Sequence, residues 1–179
     1  QAEIADDWVT DVRLEDQCFT LKTKGGDYIA HAVIFANGAE RRRLGLPNES
    51  NLTGKGVHYC WTCDGPLYGG KRVAMVGGGD SSVKGVNFLA EYAEKIFLIV
   101  RGTELNAEPV NRVRMEKLGN KVEVLFETEV KEIVGSKMLE KLALSKPFNS
   151  SNELVVDGLF VEIGAKPSVE LAASLGVTL

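Results

Sequence analysis

The fold is decided by the stretch Arg72-Val73-Ala74-Met75-Val76-Gly77-Gly78-Gly79-Asp80-Ser81-Ser82. Its apolar start predicts a short buried strand over Lys71–Val76 that ends directly at three glycines. A helix should follow, capped by Asp80 or Ser81. Its apolar residues recur at helical spacing, at Val83, Val86, Ala90 and Ala93. Ile96–Val100 is then a continuous apolar run typical of a parallel strand, which completes a βαβ unit.

The glycine turn has the form Gly77-x-Gly79-x-x-Ser82, with Gly78 between the first two glycines. In a dinucleotide-binding turn the first glycine permits the tight bend, the second lets the backbone approach a pyrophosphate, and the third position must be small. The phosphates would lie at the amino end of the helix, near Asp80 and Ser81. A tight turn without any ligand remains the alternative.

The residues after Ile96–Val100 should contact the adenosine ribose. An acidic residue there favours NAD, whereas arginine favours the 2′-phosphate of NADP. Arg101 and Glu104 both lie in this position, so the sequence leaves the choice between NADPH and NADH open.

A second motif is Cys60-Trp61-Thr62-Cys63-Asp64. Two thiols separated by two residues can form a disulfide and reopen it by thiol–disulfide exchange, and Asp64 could supply or accept the proton of each step. Half of a zinc site and a pair of inert buried cysteines are the alternatives. Because Cys18, His31 and His58 have no zinc-finger spacing, we predict no metal.

The rest of the chain predicts an α/β fold. Two strands over Trp8–Thr23, a turn at Lys24–Asp27 and a strand over Tyr28–Ala36, buried on both faces, precede the glycine turn. After it we predict a helix over Ala107–Leu118. Further β-structure is predicted over Val122–Phe126, Val130–Val134, Leu139–Leu144 and Leu154–Ile163.

Composition excludes several classes of protein. The 179 residues carry a net charge of −4 and are 44% hydrophobic, typical of a globular chain. No basic stripe indicates nucleic acid as a partner, and Arg41-Arg42-Arg43 is interpreted as a solvated loop. No apolar run reaches 18 residues, so no membrane span is expected. Three cysteines do not make a disulfide-rich secreted scaffold.

The two motifs, with the second cysteine 14 residues before the glycine turn, resemble the low-molecular-weight thioredoxin reductase family. The resemblance begins at His31–Ala39, passes through Leu44–Pro47 and both motifs, and includes Asp157–Gly164. It implies a Rossmann-like nucleotide-binding domain, a parallel βαβ sheet with an antiparallel β-meander, flanked by β-rich pieces of an incomplete FAD domain. The expected boundaries are 1–46 for a partial FAD domain, 47–56 for a linker, 57–157 for the NAD(P)H domain and 158–179 for the return into the FAD domain.

The resemblance also implies roles. Electrons would pass from NADPH or NADH through FAD to the Cys60–Cys63 disulfide, and then to thioredoxin or a thioredoxin-like protein. Cys63 would face the flavin, Cys60 would attack the partner disulfide, and Asp64 would be the acid–base residue. Gly77–Ser82 would hold the pyrophosphate and Arg101 the 2′-phosphate, and Ala36-Asn37-Gly38 would bind a cofactor at the domain crossover. A cytoplasmic homodimer is expected.

The sequence departs from the family pattern in three respects. The amino-terminal and carboxy-terminal FAD motifs are absent, so we expect the chain to be a central fragment, unable to turn over alone. Only Arg101 remains of three arginines that commonly hold the 2′-phosphate, with Gly102 and Asn106 at the other two positions. Asn37 replaces the usual threonine at the crossover. A relative reduced by ferredoxin, or a nucleotide-binding module without activity, are therefore the alternative functions.

Overall fold

The chain divides into two compact units. A computed structural model describes residues 2–178. The central unit is Arg41–Ala165, and the flanking unit combines the residues up to Glu40 with those from Lys166. Short strands β4 (Ala39–Arg41) and β13 (Ala165–Pro167) lie where the chain passes between them.

The flanking unit contains a three-stranded antiparallel sheet. Its strands are β1 (Val9–Glu15), β2 (Cys18–Thr23) and β3 (Asp27–Ala30), in that order. Asp16 and Gln17 both have positive φ, which is typical of a two-residue hairpin turn. A short helix over Glu170–Ser174 belongs to the same unit.

The predicted strand over Tyr28–Ala36 is wrong in its second half. Regular pairing ends at Ala30, and residues 32–38 form no strand. Ile34 is 93% exposed, so the predicted burial on both faces is absent. The apolar run Ala32–Ala36 is suited to a central parallel strand, but no described strand of this unit pairs with it.

The central unit is built on a five-stranded parallel sheet with the order β5-β12-β6-β7-β8. Strand β6 is Arg72–Val76, β7 is Lys95–Ile99 and β8 is Val122–Leu125. Edge strand β5 is Val57–His58, and β12 is Gly158–Val161. The predicted βαβ unit is therefore confirmed, with β12 inserted beside its first strand.

Helices cover one face of this sheet. The helix α3 (Asp80–Leu89) follows the glycine turn, and α4 (Pro109–Glu116) is the helix predicted over Ala107–Leu118. The apolar face of α3 is buried as predicted, and it packs with Val73 and Met75 of β6. The cap residue of α3 is Gly79 rather than the predicted Asp80 or Ser81.

An antiparallel three-stranded sheet covers the other face. Its strands are β9 (Val130–Gly135), β10 (Leu139–Phe148) and β11 (Ser151–Val155). Ala74 and Val76, which alternate with Val73 and Met75 along β6, pack into this second core. The predicted strand region Leu154–Ile163 is thus two strands, β11 and β12, in different sheets.

The predicted domain boundaries differ from this division. The predicted linker 47–56 contains helix α1 (Glu49–Leu52), and Leu52 is fully buried in the central unit. Residues 158–165, predicted to start the return into a FAD domain, belong to the central unit because β12 pairs with β6. The assignment of the units to cofactors stays a prediction.

Candidate functional site: a disulfide and a glycine-lined cavity

The two cysteines of the Cys-x-x-Cys motif form a disulfide. Cys60 precedes the single-turn helix α2 (Trp61–Asp64), and its Sγ accepts a hydrogen bond of 3.2 Å from the backbone N–H of Cys63. The hydroxyl of Thr62 lies 3.3 Å from the same sulfur. Hydrogen-bond donors at a sulfur favour its thiolate form, and Cys60 has such a donor in the Cys63 N–H. The roles of the two cysteines stay predictions.

Trp61 packs against α3, with its ring 5.4 Å from that of Phe88. It also lies close to the backbone of Gly85, where an added Cβ would be 3.0 Å from its Cδ1. Trp61 therefore holds α2, the helix that contains Cys63, against α3. The sequence did not indicate this contact.

Asp64 is joined to a buried pair beneath the motif. His58, only 6% exposed, lies with Nδ1 3.1 Å from Asp64 Oδ2 and with Nε2 2.7 Å from the hydroxyl of Tyr68. Burial lowers the pKa of His58, although Asp64 opposes that shift. A neutral ring with its proton on Nδ1 donates to Asp64 and accepts from Tyr68, so all three groups are satisfied. Burial, with the charge of Asp64, raises the pKa of Tyr68 to about 12.

The glycine turn borders a cavity of about 1040 Å³ in the central unit. The cavity walls include Gly77–Ser81, Arg101 and Glu104, so the cavity brings together residues that the sequence analysis assigned to a dinucleotide. Ser82 instead faces inward, where its Oγ donates to the carbonyl of Glu162 at 3.0 Å. It holds the turn against the end of β12, which explains why a small polar residue fits the third position.

The fold requires glycine at position 77 but not at position 79. Gly77 has φ +140°, and an added Cβ would collide with the Glu162 carbonyl and Ser82 Oγ, so the fold itself requires glycine. Gly79 has ordinary extended backbone, and a Cβ there would meet nothing within 4 Å. The fold does not need glycine at 79, but a ligand that approaches this backbone does. The residues present therefore fit a dinucleotide.

Sequence reasoning missed several cavity residues. Arg42 and Arg43, interpreted as a solvated loop, line the cavity, and Arg41 pairs with Glu162 at 2.8 Å. Lys131 lies on another wall; its ion pair with Glu129 and the nearby charge of Arg101 lower the pKa of Glu129. The three arginines lie at the end of β4 and directly after it, and Lys131 lies on β9, all outside the βαβ motif that sequence patterns identify.

The three residues predicted to bind a cofactor at the domain crossover lie in the flanking unit. Ala36, Asn37 and Gly38 are exposed in the flanking unit, and the carbonyl of Gly38 accepts from the Ser168 N–H at 3.1 Å. These contacts give no test of a flavin site, and the role of the three residues stays a prediction.

No metal site or membrane span is present in the part of the chain that the structure describes. No group of three or more His, Cys, Asp or Glu side chains among residues 2–178 could hold a metal ion. None of the described helices is long and apolar enough to cross a membrane. Since both motif cysteines are joined to each other, the zinc alternative has no support.

Comparison with known proteins identifies the family. The chain is 37% identical to the thioredoxin reductase of Listeria innocua over 89% of its own length and 50% of that protein. The structure of Lactococcus lactis thioredoxin reductase matches with a TM-score of 0.83 at 26% identity, over 96% of this chain and 57% of that one. The ferredoxin-flavin thioredoxin reductase of Clostridium acetobutylicum matches with a TM-score of 0.53 at 33% identity, over 89% and 50%.

The chain thus spans about half the length of the curated relatives it matches. The sequence profile of the pyridine nucleotide-disulphide oxidoreductases covers residues 3–179, nearly the whole chain. With its disulfide and glycine-lined cavity, the chain belongs to the pyridine nucleotide-disulphide oxidoreductase family, and its relatives are thioredoxin reductases.

Proposed function

We propose that the central unit is the nicotinamide-nucleotide and disulfide part of a thioredoxin reductase-like flavoprotein. The single observation that carries this proposal is Gly79, where the fold leaves room for a side chain and the family's ligand would fill that room. The parent reaction is reduction of a disulfide in thioredoxin or a similar protein by NADPH or NADH. FAD would supply electron transfer between nicotinamide and disulfide, and a homodimer is the proposed assembly.

The disulfide part of the reaction is performed by the Cys60–Cys63 pair. Two electrons and two protons open the bond to a dithiol. Cys60, with its Sγ near the Cys63 N–H and the Thr62 hydroxyl, attacks the partner disulfide, which forms a mixed disulfide and releases one partner thiol. Cys63 then attacks Cys60 Sγ, which forms the Cys60–Cys63 bond again and releases the second partner thiol. Asp64, held by His58, is placed to move a proton at these sulfurs.

The experiment is a calorimetric titration of the chain with NADH and NADPH, repeated with Gly79→Val. We expect wild type to bind at least one nucleotide and Gly79→Val to lose about tenfold or more in affinity, because its side chain occupies ligand space. Gly79→Ala, whose Cβ would meet nothing within 4 Å, should unfold at nearly the same temperature as wild type. Gly69→Ala is the matched control, since it too has open space and a negative φ and lies outside the cavity. Equal binding by wild type and Gly79→Val would contradict the proposal.

A second candidate function differs only in the electron donor. The 33% identity to a ferredoxin-flavin thioredoxin reductase, together with one arginine at the expected 2′-phosphate position, favours a parent reduced by ferredoxin. The same titration separates the two. A folded chain that binds neither nucleotide but exchanges its disulfide with thioredoxin supports the second candidate.

A further inference from the structure

Glu162 is a buried carboxylate at the edge of the nucleotide cavity that the sequence did not single out. It follows β12 directly, and its side chain is only 1% exposed. Oε2 accepts from the guanidinium of Arg41 at 2.8 Å and from Ser81 Oγ at 2.9 Å. Oε1 has no hydrogen-bond partner among the described residues.

A buried carboxylate oxygen without a hydrogen-bond partner lowers the stability of the folded protein, so a hydrogen-bond donor is expected near Oε1. Because Glu162 is part of the cavity wall, that donor can come from a bound ligand. Arg41 offsets the negative charge of Glu162, which would otherwise repel a pyrophosphate nearby. With its charge offset, Glu162 can lie beside an anionic ligand, and its Oε1 can accept a hydrogen bond from a donor of that ligand.

The sheet order identifies which part of a dinucleotide is nearest. Strand β6 lies between β7 and β12, and the glycine turn follows β6. In this fold the pyrophosphate crosses the turn and the adenosine ribose lies by the strand after the crossover helix, here β7. The nicotinamide half must therefore extend toward β12 and Glu162.

Ser81 indicates more closely which group of the dinucleotide lies near Glu162. It lies in the first turn of α3, where the pyrophosphate binds, and its hydroxyl contacts Glu162. The group closest to the pyrophosphate on the nicotinamide side is the ribose, whose hydroxyls are donors. We propose that Glu162 Oε1 accepts a hydrogen bond from a hydroxyl of the nicotinamide ribose. The inference rests on the proposed nicotinamide function.

The test is a calorimetric titration of the chain with ADP and ADP-ribose, which differ by the second ribose. Glu162→Gln should weaken ADP-ribose binding by about tenfold and leave ADP within about twofold. Glu104→Gln, on the cavity wall beside β7, is the matched control and should change both affinities by the same factor. A Glu162→Gln protein that loses the two ligands equally, or neither, overturns the inference.

Further outcomes of these titrations also decide the inference. If Glu162→Gln does not fold, wild type alone decides: ADP-ribose should bind about fivefold tighter than ADP, and equal affinities overturn the inference. Wild type that binds neither NADH nor NADPH overturns the proposed function and the inference with it. Wild type that binds nucleotide while Glu162→Gln shows no selective loss overturns the inference alone.

Discussion

Glu49 provides the sharpest test of how the cavity wall is held. It is 2% exposed at the start of α1, and its carboxylate accepts four hydrogen bonds. Oε1 accepts from Leu44 N–H at 2.9 Å and from the Tyr59 hydroxyl at 2.7 Å, and Oε2 from Gly45 and Leu46 N–H at 2.8 and 3.3 Å. Leu44 and Leu46 line the cavity, so this carboxylate fixes the shape of one wall.

The substitution Glu49→Gln keeps the size of the side chain and exchanges one acceptor for a donor. Whichever way the amide turns, its NH₂ faces at least one backbone N–H. The protein then loses at least one hydrogen bond to a charged group, worth about 1.5–3 kcal/mol, and leaves a buried N–H unpartnered. We expect the free energy of unfolding to fall by about 2–4 kcal/mol. Tyr59→Phe, which removes one donor of the four, should cost about 1 kcal/mol.

The assay is urea unfolding at neutral pH followed by circular dichroism. Glu91→Gln, at an exposed glutamate of the same unit, is the matched control and should stay within about 0.5 kcal/mol of wild type. The reasoning is refuted if Glu49→Gln is as stable as Glu91→Gln. It is also refuted if Tyr59→Phe lowers the free energy of unfolding more than Glu49→Gln does. Tyr59 donates only one of the four hydrogen bonds that Glu49 accepts.

Two further predictions concern the disulfide region. Because burial lowers the pKa of His58, the unfolded chain takes up its proton first as the pH falls, so stability present above about pH 6.5 should decline on acidification. In urea unfolding, the free energy of unfolding of His58→Gln should fall less with decreasing pH than that of His31→Gln, the control at an exposed histidine. Equal dependence on pH in the two variants would contradict the argument. Gly85→Ala places a Cβ 2.6 Å from Met75 Cε and 3.0 Å from the Trp61 ring, so it should lower stability by about 1–3 kcal/mol and alter tryptophan fluorescence. Gly69→Ala, with open space around it, should do neither.

Local patterns predicted the centre of the fold well. The run Val73–Val76, the three glycines and the apolar spacing from Val83 onward specify strand, turn and helix through neighbours in sequence, and all three elements are present. The Cys-x-x-Cys spacing allowed a disulfide beside the alternatives of a zinc site and inert cysteines, and the structure shows the disulfide. Such elements need no knowledge of distant partners.

The errors arise where a distant partner decides the outcome. An apolar run such as Ala32–Ala36 indicates a buried strand only if neighbouring strands exist to cover it, and Ile34 is exposed instead. Residue type alone does not reveal the burial of Glu49 and Glu162, since glutamate is mostly exposed in folded proteins. Glu162 is bound by an arginine 121 residues away. Glu49 is bound by the backbone N–H groups of Leu44, Gly45 and Leu46, three to five residues before it, in a local turn that residue type does not reveal.

The position of β12 has a consequence for the order in which the central unit can assemble. Strand β5, which leads into the two cysteines, pairs with β12 and with no other described strand. During synthesis the segment that ends at His58 therefore has no strand partner until Gly158–Val161 has been made, about a hundred residues later in the chain. Loops of that length close slowly compared with local helices and hairpins. The edge of the parallel sheet that leads into the two cysteines is therefore among the last parts of this sheet to be completed.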